Sequence, residues 1–120
     1  MSFNLAVSEP CKARAFSAIF QNMKCFCDHV NLVFEKERVY AQGMDNSHIS
    51  IFELFIPATW FDSYNHPDNE NVVIGINVGL FYKILNTRDD GQEIFIKYDS
   101  EKQDKLYLHF ITSSASTKPL

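Results

Sequence analysis

Apolar residues alternate along Phe3-Asn-Leu-Ala-Val7, the two-residue rhythm of a strand. Ser8, Glu9 and Pro10 then read as a helix start, with Ser8 as the cap, an acid in the first turn and a proline that needs no amide partner. Phe16, Ile19, Phe20 and Met23 recur at helical spacing as far as Lys24. The opposite side of that helix carries Arg14, Ser17, Gln21 and Lys24. Three strands are predicted next. Residues 29–35 place Val30, Leu32 and Phe34 on one side, and residues 38–44 place Val39 and Ala41 on one side. Residues 48–56 set Phe52, Leu54 and Ile56 against Ile49 and Ile51. A loop rich in Asn, Asp and Pro fills 57–71.

The pattern then starts again. Residues 72–76 read as a strand, and Asn77 caps a short helix reaching about residue 86, apolar at Leu80, Phe81, Ile84 and Leu85. Residues 93–98 and 105–111 form a hairpin around 99–104, and from Thr112 the chain turns Ser/Thr-rich. This is a β-α-β-β-β unit used twice, the second time without its last strand. The predicted class is α+β, with two helices on one face of an antiparallel sheet, because both apolar stripes need cover. Their polar sides, bearing Arg14, Lys24 and Lys83, then face the same way.

Composition agrees with one packed domain over residues 1–120: 46% of the 120 residues are hydrophobic and eleven are phenylalanine. No apolar run approaches the roughly 20 residues of a membrane span, and the first ten residues lack a signal peptide's basic and apolar regions. Cys11, Cys25 and Cys27 make an odd, unframed set, read as reduced thiols. Cys25-x-Cys27-x-His29 has no second ligand pair, so no metal and no cofactor are expected. The net charge of −4 means that any nucleic-acid contact must use a local concentration of cations. Read as strand neighbours, Ser47 and His48 point to opposite faces and cannot serve as nucleophile and base. No enzyme is expected.

Three segments resemble the sliding clamps of the proliferating-cell nuclear antigen (PCNA) family. Residues 41–51, Ala-Gln-Gly-Met-Asp-Asn-Ser-His-Ile-Ser-Ile, are similar to its Q-x-M-D-x-S-H-[VI]. Phe61-Asp-Ser-Tyr64 resembles F-D-x-Y, and residues 74–85 resemble G-x-N-L-x-x-[ML]-x-K-I-L. The three stand in the family's order.

The resemblance implies a front, N-terminal clamp domain, with the connector and back domain absent from these residues. It implies a processivity factor for DNA polymerase, acting in the nucleus or at a viral replication site. The full-length subunit would form a homotrimeric ring of six such domains around duplex DNA. This chain alone is expected as a monomer or weak dimer. By the same resemblance, Met44, His48, Ile49 and Ile51 form part of a pocket for polymerase and other clamp-binding peptides. Lys24 and Lys83 match basic positions on the DNA face, which Arg14 and Lys12 would supplement. Ser17, Ala18 and Asn86 depart from the pattern where the family often has lysines. An alternative function is a non-encircling half-clamp that regulates or sequesters clamp partners.

Overall fold

The computed structural model describes residues 2–67, 69–99, 101 and 105–112. The chain runs β1 (Ser2–Val7), α1 (Pro10–Met23), β2 (His29–Phe34), β3 (Arg38–Met44) and β4 (Ile51–Pro57). A 3-10 turn (Ala58–Trp60) follows, then β5 (Ser63–Asn65), β6 (Val72–Asn77), α2 (Val78–Leu85), β7 (Gln92–Asp99) and β8 (Lys105–Thr112). The alternation in sequence is the alternation in burial: Phe3, Leu5, Val7, Val30, Leu32, Phe34, Ile94 and Ile96 all point inward. The expectations for 113–120, and for most of the turn at 99–104, lie outside the described residues.

The predicted single sheet is two. One four-stranded antiparallel sheet has the order β5-β1-β7-β8, and the other has β4-β3-β2-β6. Each unit's opening strand has moved into the other unit's sheet: β1 pairs with β7, Leu5 opposite Ile96, and β6 pairs with β2, Ile74 opposite Leu32. Alternation along a strand marks its buried face but carries no record of its neighbour, so this exchange was not readable. Phe3 stacks on Phe34 with ring centroids 4.4 Å apart, joining the inner faces of the two sheets. Phe20 of α1 meets Phe81 of α2 at 4.7 Å, joining the helices above them.

Two further expectations need correction. Of the four predicted apolar positions, Phe81 and Leu85 are buried but Leu80 and Ile84 are exposed, and α2 buries Val78 besides. An eight-residue helix can bury only one narrow stripe, and this one is set by Phe81 and Leu85, one turn apart. Ser8 does not cap α1 either. Glu9 occupies that position without a side-chain bond. The carboxylate of Asp62, just before β5, accepts from the Ser8 and Glu9 amides at 2.5 and 3.2 Å. The Ser8 amide is the main influence holding the Asp62 carboxyl below its ordinary value.

This explains the Phe61-Asp-Ser-Tyr64 segment as a staple. Phe61 enters the core, Asp62 satisfies the start of α1, and the Tyr64 hydroxyl donates to the Glu35 carbonyl in the β2–β3 turn. Burial pushes the Tyr64 phenol up to about 12. Asp62→Ala should cost about 0.5–2 kcal/mol, the usual range for a lost helix cap, read as a lower urea midpoint with an unchanged slope.

Candidate functional site

Residues 45–50 are a hairpin loop between β3 and β4, so 48–50 are not the start of a strand as predicted. Met44 and Ile51 are the last paired residues beneath it. Asp45 organises the loop with both oxygens. Its Oδ1 accepts from the Ile49 and Ser50 amides at 2.9 and 3.1 Å, and its Oδ2 accepts from the Ser47 hydroxyl at 2.7 Å. His48 adopts a left-handed backbone (φ 62°), which costs a residue with a Cβ about 1–2 kcal/mol and is held here by those bonds. The Asn46 amide donates to the Phe26 carbonyl at 2.8 Å, tying the loop to the segment after α1.

The loop holds apolar side chains out in solvent. Ile49 is 84% exposed and Ile51 61%, beside an exposed Met44 whose sulfur lies 3.0 Å from His48 Nδ1. All four residues singled out in the sequence therefore sit on one hairpin end. Phe26, 40% exposed and packed edge-on against Phe52, is an apolar neighbour that sequence reasoning missed. Its signal was slight: one aromatic between two cysteines, outside any periodic run. Ser47 donates to Asp45 and His48 faces Met44, so the pair stays uncoupled for a reason other than strand alternation.

The hydroxyl of Ser47, then the Ser50 and Ile49 amides, hold the Asp45 carboxyl below its ordinary 3.8. A carboxyl lowered in the folded chain stabilises it above the unfolded value and loses that contribution as pH falls through the folded value. On acidification below about pH 4, the Ile49 and Ser50 amide resonances should therefore move while those of β2 stay. Asp45→Asn should abolish that acid-dependent movement.

The basic residues occupy a second surface. Arg14 and Lys24 are exposed on and just after α1, and Lys83 is exposed in the last turn of α2. The Lys24 ammonium lies 5.2 Å from the Tyr82 ring, so it leans across toward α2. Arg14 and Tyr82 also line one hollow of about 210 Å³ between the helices, together with Arg88, a cation sequence reasoning missed. Arg88 gave no signal because it follows the helix, in a run read only as a breaker. Its guanidinium donates to the Asp89 and Gln92 carbonyls at 3.1 and 3.0 Å and fixes the turn into β7. Lys12 is committed elsewhere: it donates to the Trp60 carbonyl at 2.7 Å and lies 5.5 Å from that indole.

Residues 10–118 match the family model described as proliferating cell nuclear antigen, N-terminal domain. The chain belongs to this family. Over 107 residues it is 28% identical to DNA polymerase sliding clamp 3 of Sulfurisphaera tokodaii, covering 89% of this chain and 43% of that protein. It is 31% identical over 97 residues to proliferating cell nuclear antigen 2 of Plasmodium falciparum, covering 80% and 36%. A crystal structure of a PCNA2–PCNA3 complex from Sulfolobus tokodaii superposes with a TM-score of 0.73 at 23% identity. That superposition covers 98% of this chain and 50% of the clamp chain, and it establishes the α+β clamp fold. The PCNA-like chain thus spans less than half the length of the curated relatives it matches.

The Cys25-x-Cys27-x-His29 triplet of this PCNA-family domain turns its thiols back on α1. Cys25 points to the Gln21 carbonyl at 3.7 Å, and the buried Cys27 points to that of Met23 at 3.5 Å. Burial raises the Cys27 thiol, which suits a core hydrophobe. Among the described residues, no group of three possible ligands comes together.

Proposed function

We propose that this domain is part of a DNA sliding clamp, a processivity factor that helps encircle duplex DNA and docks replication proteins through the β3–β4 hairpin. The observation that carries this reading is the exposed set Met44, Ile49 and Ile51 on one hairpin end, whose loop Asp45 organises through the Ile49 and Ser50 amides. Single exposed aliphatics are ordinary on a protein surface, but several gathered in one patch mark a place where another molecule binds. Burying one aliphatic or aromatic peptide residue there would contribute about 1.5–3 kcal/mol. That is enough for exchangeable partners and too little for a permanent complex. The domain acts by binding, with no catalytic step of its own, and works wherever DNA is replicated, the nucleus or a viral replication site. The full-length subunit would close a homotrimeric ring, while this chain alone stays a monomer or weak dimer.

Arg14, Lys24 and Lys83 meet the phosphate backbone, and Lys12, held by Trp60, adds only to the field. The contact is electrostatic and independent of sequence, so affinity should fall steeply with salt. Lys24→Ala with Lys83→Ala should weaken binding equally for unrelated duplexes and make the salt dependence shallower. A strong preference for one duplex would refute backbone tracking.

NMR titration with a clamp-binding peptide tests the pocket. Shifts are expected at Met44, His48, Ile49, Ile51 and Phe26. Shifts confined to α1 and α2 would rule the pocket out.

A further inference from the structure

The outward face of the β5-β1-β7-β8 sheet takes no part in either surface above. On β7 and β8 the side chains of Ile94, Ile96 and Tyr98 turn inward, so Phe95, Lys97, Lys105, Tyr107 and His109 turn outward. Register places Asn4, Lys97 and Tyr107 side by side across three strands, with Phe95 opposite His109. Directly opposed side chains in such a sheet start about 5 Å apart, within reach of one small ligand. Asn4, Lys97, Tyr107 and His109 wall an open hollow of about 490 Å³. Tyr107 is 40% exposed. Among the described residues, the one carboxylate in the lining is Asp99, which is opposite Lys105 in the register and accepts the Glu101 amide at 3.0 Å.

We propose that this face binds single-stranded nucleic acid and takes one nucleotide into the hollow. The base stacks on Tyr107, the adjoining phosphates lie toward Lys97 and Lys105, and Asn4 and His109 hydrogen-bond the base edge. A stacking ring serves any base, because every base has a π-face, and lysines track the backbone. A duplex keeps its base faces stacked inside and cannot use the ring. An acidic peptide would use the lysines and leave the ring and the amide idle. The site lies on a sheet, apart from the helix cations, so it neither needs nor replaces the duplex contact.

Fluorescence anisotropy of the 120-residue protein with a labelled oligothymidylate at low salt tests this, with amide chemical shifts mapping the contact. Tyr107→Ala should weaken binding about 5- to 150-fold, the range of one lost base–aromatic stack. Tyr107→Phe, which keeps the ring, should bind as the parent does. Lys97→Gln and Lys105→Gln should each make the salt dependence shallower. Lys24→Ala with Lys83→Ala should leave the oligothymidylate-induced shifts at Lys97, Tyr107 and His109 in place, even if it abolishes duplex binding. The inference is overturned if Tyr107→Ala binds like the parent, if millimolar protein binds no oligothymidylate, or if the shifts map to α1 and α2.

Discussion

Phe20→Ala is expected to lower stability by about 3–5 kcal/mol, the range for removing a buried aromatic ring. The Phe20 ring is almost wholly buried, meets Phe16 edge-on at 5.2 Å and Phe81 at 4.7 Å, and lines the space where both sheets face both helices. Two helices and two sheets would then border one cavity, and none can close it without leaving a neighbour. A domain of this size has about 5–15 kcal/mol in all, so the variant should lose between about a fifth and all of its stability and unfold at a clearly lower temperature. Thermal unfolding followed by circular dichroism measures this. A fall in stability under 1 kcal/mol, on the order of a surface change, would mean that the core repacks around Phe16 and Phe81.

The second large effect is at Gly43, and it reaches the binding surface. A Cβ there would lie 2.4 Å from Phe52 Cζ and 2.9 Å from Val30 Cγ1, closer than carbon atoms approach. The Phe52 ring must leave, and it packs edge-on against Phe26, whose carbonyl holds the hairpin loop through Asn46. Gly43→Val should therefore cost about 1–3 kcal/mol, as overpacking does. It should also move the amide resonances of Asn46 to Ser50, which the valine cannot touch directly, and weaken peptide docking at Ile49 and Ile51. Loss of stability with an unshifted loop would show that Phe52 swings aside without disturbing Phe26.

Much of the fold was legible because most strands bury one face. The alternation at Phe3, Leu5 and Val7 and the helical spacing of Phe16, Phe20 and Met23 needed no neighbours to be read. Asn77 was legible as a cap because its side chain bonds three residues on, to the Leu80 amide at 2.9 Å. Asp62 was not, because it caps a helix more than fifty residues earlier. The three-residue β5 fell below any period that alternation can show, and it exists through its pairing with β1, Leu5 opposite Tyr64. Ile49 was misread as a strand residue because it is apolar and two residues from Ile51. The turn around it is made by Asp45's carboxylate, and the sequence shows only that an aspartate is present. The four hairpin residues were named from family resemblance, and periodicity alone would have put Ile49 and Ile51 against a sheet. Leu80 and Ile84 show the same limit, since apolar spacing on a short helix leaves open which stripe the core takes.

The exchange of opening strands also sets the order in which the molecule can assemble. β2, β3 and β4 join through near neighbours in sequence, and so do β7 and β8. The sheet that holds β7 is complete only when Val7 reaches Ile94 from the far end of the chain. Closing so long a loop costs entropy before any contact repays it, and distant pairings slow folding. Neither β-α-β-β unit owns the strand that finishes its sheet, so neither half should fold without the other. During synthesis β1 would therefore have only β5 to pair with, and the native state would form only after β7 has left the ribosome.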